Sequence, residues 1–125
     1  MNKLNLFLII LFSQFLNSQS IIGAWEKYET NSDGSTHRYV VIFSEGFKST
    51  SVFDSTNGKF ISTNGGSWFL DGSTLTEKIE FDTQDQEKVG STIKFEFDIK
   101  ENTVTNINSG KTWNRIDDGS PGQLN

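Results

Sequence analysis

Polar and apolar residues alternate along most of the chain after residue 20, which predicts extended strands rather than helices. The clearest alternation runs over residues 91–99, with one set of positions apolar and the other charged: Ile93, Phe95, Phe97 and Ile99 against Lys94, Glu96 and Asp98. A strand with this pattern has one face in a core and one face in solvent. No segment keeps a helical period over three turns.

Clusters of Gly, Asn, Asp and Ser separate the strand-like runs, as expected for tight turns. Asn64-Gly65-Gly66 is predicted as one such turn, and residues 82–90 as a polar link that could hold one helical turn. Residues 60–63 fit either a short strand or an irregular connection. The runs predicted as strands are 21–30, 36–43, 47–53, 67–70, 75–81, 91–99, 103–107 and 111–116.

Eight or nine short antiparallel strands joined by tight turns predict an all-β fold, either a meander that closes on itself or two packed sheets. Closure removes the exposed strand edges that would otherwise invite aggregation. We therefore expect a small antiparallel up-and-down β-barrel of eight or so strands.

The first twenty residues have the order of a secretory signal peptide. Lys3 gives a cationic start, residues 6–16 are almost wholly apolar, and small polar residues follow. This apolar run is shorter than the about 20 residues that span a bilayer, so a retained membrane anchor is disfavoured. We expect a signal peptide at 1–20, cleaved after Ser18 or Ser20, a barrel domain at 21–116 and a disordered tail at 117–125. The mature protein would be periplasmic or secreted, with no stable membrane insertion.

The amino-acid composition and the net charge limit how the fold can be stabilised and which partners it can bind. The chain has no Cys but 11 Phe and 3 Trp, so the fold must rest on the packing of large rings rather than on disulfides. Its net charge is −5, and the acidic residues are scattered. Because no basic patch exists to neutralise phosphates, nucleic acid is not an expected partner. We expect a monomer.

The two ends of the predicted domain carry a recognisable pair of motifs. Gly23-Ala24-Trp25 opens the first strand-like run, and Trp113-Asn114-Arg115 lies in the last. Together they resemble the structural signature of the lipocalin and fatty-acid-binding-protein group. In that group the Trp ring closes the barrel floor and an Arg of the final strand packs across it, which implies that Trp25 lies against Arg115. A guanidinium over an indole face gains a cation–π contact.

The middle of the chain is more specifically similar to the short lipocalin-like domains of small exported bacterial proteins. The matching stretches are 75–81, 90–97 and 111–115, so the likeness covers residues 21–116. The chain is shorter than most lipocalins and lacks their second motif and cysteines, and also the helix-turn-helix lid of fatty-acid binders. An eight-stranded barrel can be filled by side chains or can hold one small ligand. The sequence leaves both outcomes open.

The alternation also suggests which side chains would contact a ligand. Glu77 falls on the predicted inner face, where a carboxylate must be paired or hydrogen-bonded. It would be either a polar anchor for a ligand or a structural group bonded across the lumen. Arg38 could reach an acidic ligand, or could pair with Glu26 or Glu29 on the surface. The candidate ligand-binding residues are Tyr39, Phe43, Trp68, Glu77, Phe95, Phe97 and Arg38.

Motifs for catalysis or metal binding are not found in the sequence. His37 is the only His, and it cannot by itself supply the three or four ligands of a zinc site; a haem ligand would rest on this residue alone. Residues 82–87 are acidic but lack the order of a calcium loop. We therefore expect no enzyme, metal or cofactor. Two functions remain: a barrel that binds a small hydrophobic or amphipathic ligand, or a filled barrel acting as a protein- or envelope-interaction module.

Overall fold

Nine strands and one 3₁₀ turn make up the computed structural model, which describes residues 21–117. The predicted signal peptide and the predicted tail beyond residue 117 lie outside the described residues, and Asp117 itself belongs to the last strand. The elements are β1 (Gly23–Thr30), β2 (Thr36–Ser44), β3 (Phe47–Asp54), β4 (Phe60–Asp71), β5 (Thr74–Lys78), β6 (Phe81–Asp82), the 3₁₀ turn (Gln86–Lys88), β7 (Thr92–Ile99), β8 (Thr103–Asn106) and β9 (Thr112–Asp117).

The strands form one antiparallel sheet that closes on itself. The sheet runs β3-β2-β1-β9-β8-β7-β5-β4, and a further pairing between β3 and β4 joins its two ends. Each strand of this ring therefore lies beside its neighbour along the chain, and β1 meets β9. The result is a closed eight-stranded antiparallel barrel, which confirms the predicted fold class over two packed sheets.

The predicted turn at Asn64-Gly65-Gly66 is wrong, because these residues lie inside the 12-residue strand β4. Here β4 pairs with β3 along one edge and with β6 along the other. A Cβ on Gly66 would overlap the carbonyl oxygen of Lys78, and one on Gly65 would overlap that of Lys48. The glycines thus permit close backbone approach within the sheet rather than a reversal of the chain.

The predicted strand at 75–81 is divided into β5 and β6 by an extra residue. The register pairs Trp68 with Glu77 and Asn64 with Asp82. The chain therefore advances four residues along β4 but five residues from β5 to β6, which leaves one residue extra. This bulge bends the chain, as an unpaired extra residue does in an antiparallel pair. Strand β7 pairs with β5 and not with β6, so the barrel wall is interrupted beside β6, where the 3₁₀ turn follows.

The two ends of the barrel domain meet at Trp25. Its ring is 1% exposed, and its Nε1 donates to the Ile21 carbonyl over 2.8 Å. Arg115 lies opposite Trp25 in the β1–β9 register, with its Cζ 4.1 Å from the ring centroid. The guanidinium also donates to the carbonyls of Glu101, over 2.6 Å, and Ile22, over 3.1 Å. One side chain therefore ties β9 to the start of β1 and to the β7–β8 turn.

Replacing Arg115 by Ala should lower the free energy of unfolding by roughly 1–3 kcal/mol, because a half-buried cation–π contact and hydrogen bonds to carbonyls are lost. Arg38→Ala is a matched control, since Arg38 makes a partly exposed ion pair with Glu26 and should contribute less than about 1 kcal/mol. Urea unfolding followed by Trp fluorescence measures both. Equal losses in the two variants would contradict a special role for Arg115.

Candidate ligand-binding cavity

A cavity of about 280 Å³ lies inside the barrel and opens partly to solvent. Inward-facing residues of most strands line it, and exposed Lys88 of the 3₁₀ turn also borders it. This position places the cavity beside the interruption in the wall between β6 and β7. The interior of the barrel is therefore not filled by its own side chains.

One wall of the cavity is apolar. Phe95 and Phe97 of β7 stack with their ring centroids 5.9 Å apart and an interplanar angle of 15°. Ile93 and Trp113 extend this wall along β7 and β9. All four side chains line the cavity and are only half-buried, although Phe95, Phe97 and Trp113 also pack against the core. They form a surface that an apolar ligand could cover.

A buried ion pair lies beside this apolar wall, since Glu77 is the register partner of Ile93. Lys48 of β3 reaches Glu77 of β5, with 2.6 Å between Nζ and Oε2, and the two residues are 8% and 2% exposed. The second oxygen, Oε1 of Glu77, is buried and accepts no hydrogen bond from the residues that the structure describes. The carboxylate predicted on the inner face is thus paired structurally, and one of its oxygens is left without a donor.

A second charged cluster, partly exposed, lies next to the cavity. The Nζ of Lys27 lies 4.6 Å from the ring centroid of Tyr39 and 4.8 Å from that of Trp113. Glu29 accepts hydrogen bonds from Lys27 and Lys111, and these contacts lower the pKa of Glu29 to about 2. Burial, and then the charge of Glu29, raise the pKa of the Tyr39 hydroxyl. Because Trp113 belongs both to this cluster and to the lining of the cavity, the cluster borders the cavity.

Four of the seven predicted ligand-binding residues line the cavity: Phe43, Glu77, Phe95 and Phe97. All four were assigned to the inner face by alternation, and the register places them around one space. Strand β7 shows a simple period of two from end to end, which is why the alternation located Phe95 and Phe97, whereas residues 39–43 of β2 are apolar at every position.

The other three do not line the cavity. Trp68 packs behind Phe43, with ring centroids 5.2 Å apart at 87°, and its Nε1 donates to the Ser44 carbonyl, so the ring is held within the core. Tyr39 belongs to the Lys27 cluster. Arg38 points to the outer face and pairs with Glu26 at 2.7 Å, the surface pairing that the sequence allowed.

Lys48 is a cavity residue that the sequence analysis missed. Period two on β3 sets Lys48, Thr50 and Val52 against Phe47 and Phe53, and the larger rings suggest the wrong inner face. In the structure Phe47 is 44% exposed and stacks on Phe81, with 6.3 Å between centroids. The one available signal was the buried acid on β5, which required a cation nearby.

Neither a metal centre nor a helical membrane span is found in the described part of the chain. Within residues 21–117 no cluster of three or more His, Cys, Asp or Glu could hold a metal ion. Over the same residues no helix has both the length and the apolar character needed to cross a bilayer. Asp82 uses Oδ1 to accept from the backbone N–H groups of Gln84 and Asp85, so it shapes its own loop.

Comparison with solved structures places this barrel in a known class. It resembles the crystal structure of a lipocalin-like protein from Bacteroides uniformis, with a TM-score of 0.55 and 14% sequence identity, over 78% of this chain and 99% of that one. Likeness at this identity shows the fold alone. No protein-family model matches the sequence, and no curated protein matches it. The chain is thus an all-β protein with a lipocalin-like barrel.

Removing one member of the buried ion pair should strongly destabilise the barrel, because the other charge is then left unpaired. We expect Lys48→Met and Glu77→Leu each to lower the free energy of unfolding by roughly 3–5 kcal/mol. The double variant should recover most of this loss, since neither buried charge remains. Urea denaturation of the four proteins in a double-mutant cycle measures the coupling. Additive losses would show that the two side chains do not interact.

The Glu29 contacts should make part of the stability depend on pH. A carboxyl pKa lowered from 4.5 to about 2 on folding stabilises the protein above pH 4.5, and this contribution is lost as the pH falls towards 2. We expect Glu29→Gln to cost about 1 kcal/mol at pH 7, after allowance for solvent screening, and almost nothing near pH 2. Glu45→Gln, in the exposed β2–β3 turn, is the control. A Glu29→Gln effect that does not change with pH would refute the assignment.

Proposed function

We propose that this protein is an exported, non-enzymatic binding protein that holds a small hydrophobic or amphipathic molecule in its barrel. The supporting observation is the partly open cavity of about 280 Å³, which is lined by half-buried Phe95 and Phe97 and, on the neighbouring strand, by a polar group, Glu77. Ligand sites are commonly concave, mostly apolar and supplied with a few polar groups. Export is supported by the signal-like pattern of residues 1–20.

The size of the cavity favours a compact ligand. It is close to the lower end of the range of about 300–1,000 Å³ that is usual for ligand pockets. It is also about twice the roughly 150 Å³ of an apolar cavity that admits benzene. A molecule of one or two rings therefore suits the lumen better than a long-chain lipid.

The alternative, a barrel that acts only through its outer face, requires a core packed to normal density. The half-buried inward residues of β7 count against that alternative, because a filled core would cover them. Native mass spectrometry of protein purified from its own host would test ligand binding directly. A small molecule that co-purifies supports the proposal and identifies the ligand.

Binding should be blocked by a large side chain inside the lumen. Ile93 borders the cavity and is half-buried, so Ile93→Trp should place its ring in the empty space and weaken binding of the fluorescent probe N-phenyl-1-naphthylamine at least about tenfold. Ile42→Trp is the control, because Ile42 is 51% exposed on the outer face. Fluorescence titration measures both. Failure of the wild type to bind the probe, or equal binding by all three proteins, would contradict a luminal site.

A further inference from the structure

The polar side of the cavity contains hydrogen-bonding groups that the fold does not use. Thr50 of β3 and Asn64 of β4 are direct partners in the register, so their side chains lie next to each other. Both residues border the cavity and are half-buried. The Asn64 amide and the Thr50 hydroxyl make no side-chain hydrogen bond with any residue between 21 and 117. We call Thr50, Asn64 and the Lys48–Glu77 pair the polar strip.

The cation of the polar strip, Lys48, already has a counter-charge. Lys48 is paired with Glu77 at 2.6 Å, and the two side chains are 10% and 3% exposed. A ligand carboxylate that displaced Glu77 from Lys48 would leave Glu77 buried without a counter-charge, which is costly. The other cavity-lining Lys is Lys88, which is exposed and therefore solvated. The polar strip is thus poorly suited to an anionic ligand.

One acceptor of the polar strip, in contrast, has no donor. Oε1 of Glu77 is buried and receives no hydrogen bond from the described residues. The Thr50 hydroxyl and the Asn64 amide also line the cavity, and each supplies an acceptor oxygen together with donors of its own. A buried acceptor without a donor costs free energy that an incoming donor recovers. The apolar wall of Phe95 and Phe97, on the strand next to Glu77, suits a flat ring.

We propose that the ligand is a small ring compound that carries an uncharged hydrogen-bond donor, either a hydroxyl group or a ring N–H. Its ring would lie against Phe95 and Phe97, and its donor would meet the polar strip at Thr50, Asn64 and Glu77. Compounds whose polar group is a carboxylate would be rejected. This inference rests on the proposed function and specifies the chemistry of the ligand.

Three probes with one shared ring system test the proposal: 2-naphthol, naphthalene and 2-naphthoate. Their affinities for the wild-type protein can be measured at pH 7 by displacement of N-phenyl-1-naphthylamine. We expect 2-naphthol to bind at least about tenfold more tightly than naphthalene, as a hydrogen bond to a buried polar strip should allow. We expect 2-naphthoate to bind most weakly. Because this comparison uses only the wild type, it does not depend on the folding of a variant.

Asn64→Leu and Thr50→Val keep the size of each side chain but remove its hydrogen-bonding group. Each should reduce the preference for 2-naphthol over naphthalene while naphthalene still binds. Asn114→Leu is the matched control, because Asn114 is exposed on β9, and it should leave the preference unchanged. Circular dichroism checks that each variant is folded.

The outcomes separate this inference from the proposed function. Equal affinities for naphthalene and 2-naphthol, or a preference for 2-naphthoate, would overturn the inference and leave luminal binding intact. A preference for 2-naphthol that survives in both Asn64→Leu and Thr50→Val would also overturn it. If neither N-phenyl-1-naphthylamine nor any of the three probes binds to the wild type, the proposed function fails together with the inference.

Discussion

The contact between Trp25 and Arg115 is the constraint on which the barrel depends. An antiparallel meander has two free edges, and here they are joined where β1 pairs with β9. Only a few residue pairs make this seam, in contrast to the long ladder between β1 and β2. The guanidinium strengthens the seam by covering the indole face and donating to the carbonyls of Ile22 and Glu101. Without closure there would be no enclosed lumen, and the inward rings of β7 would face water.

The interior combines features that a purely structural core would not need. Half-buried rings on β7 give up part of the apolar burial that stabilises a small domain. The Lys48–Glu77 pair carries a desolvation cost that apolar residues of similar size would avoid. Both features lie on the walls of one cavity. Stability given up in two ways around one cavity is the pattern expected of a site rather than of imperfect packing.

The sequence predicted the fold and the aromatic wall more reliably than the polar wall, for physical reasons. On β7 every inward residue is apolar and every outward residue is polar or charged, so period two assigned the faces of Phe95 and Phe97 directly. On β3 the rings of Phe47 and Phe53 made the outer face resemble an inner one, so the inward position of Lys48 was not predicted. A ring can lie on the outer face when a neighbour covers it, as Phe81 covers Phe47. Gly65 and Gly66 mimicked a turn because close backbone approach and chain reversal both select glycine. Ion pairing across strands depends on register, which alternation cannot supply.

At the interruption between β6 and β7, the lining of the cavity can change without disturbing the strand pairings that close the barrel. Residues 83–91 cross this gap with few ladder hydrogen bonds, while the eight-stranded ring is closed by pairings elsewhere. Lys88 borders the cavity from this loop without belonging to any strand. Sequence changes in this loop can therefore alter the charge at the edge of the cavity at little expense to the scaffold. Under the proposed function, the choice of ligand can then be tuned in this one connection while the seam at Trp25 keeps the barrel closed.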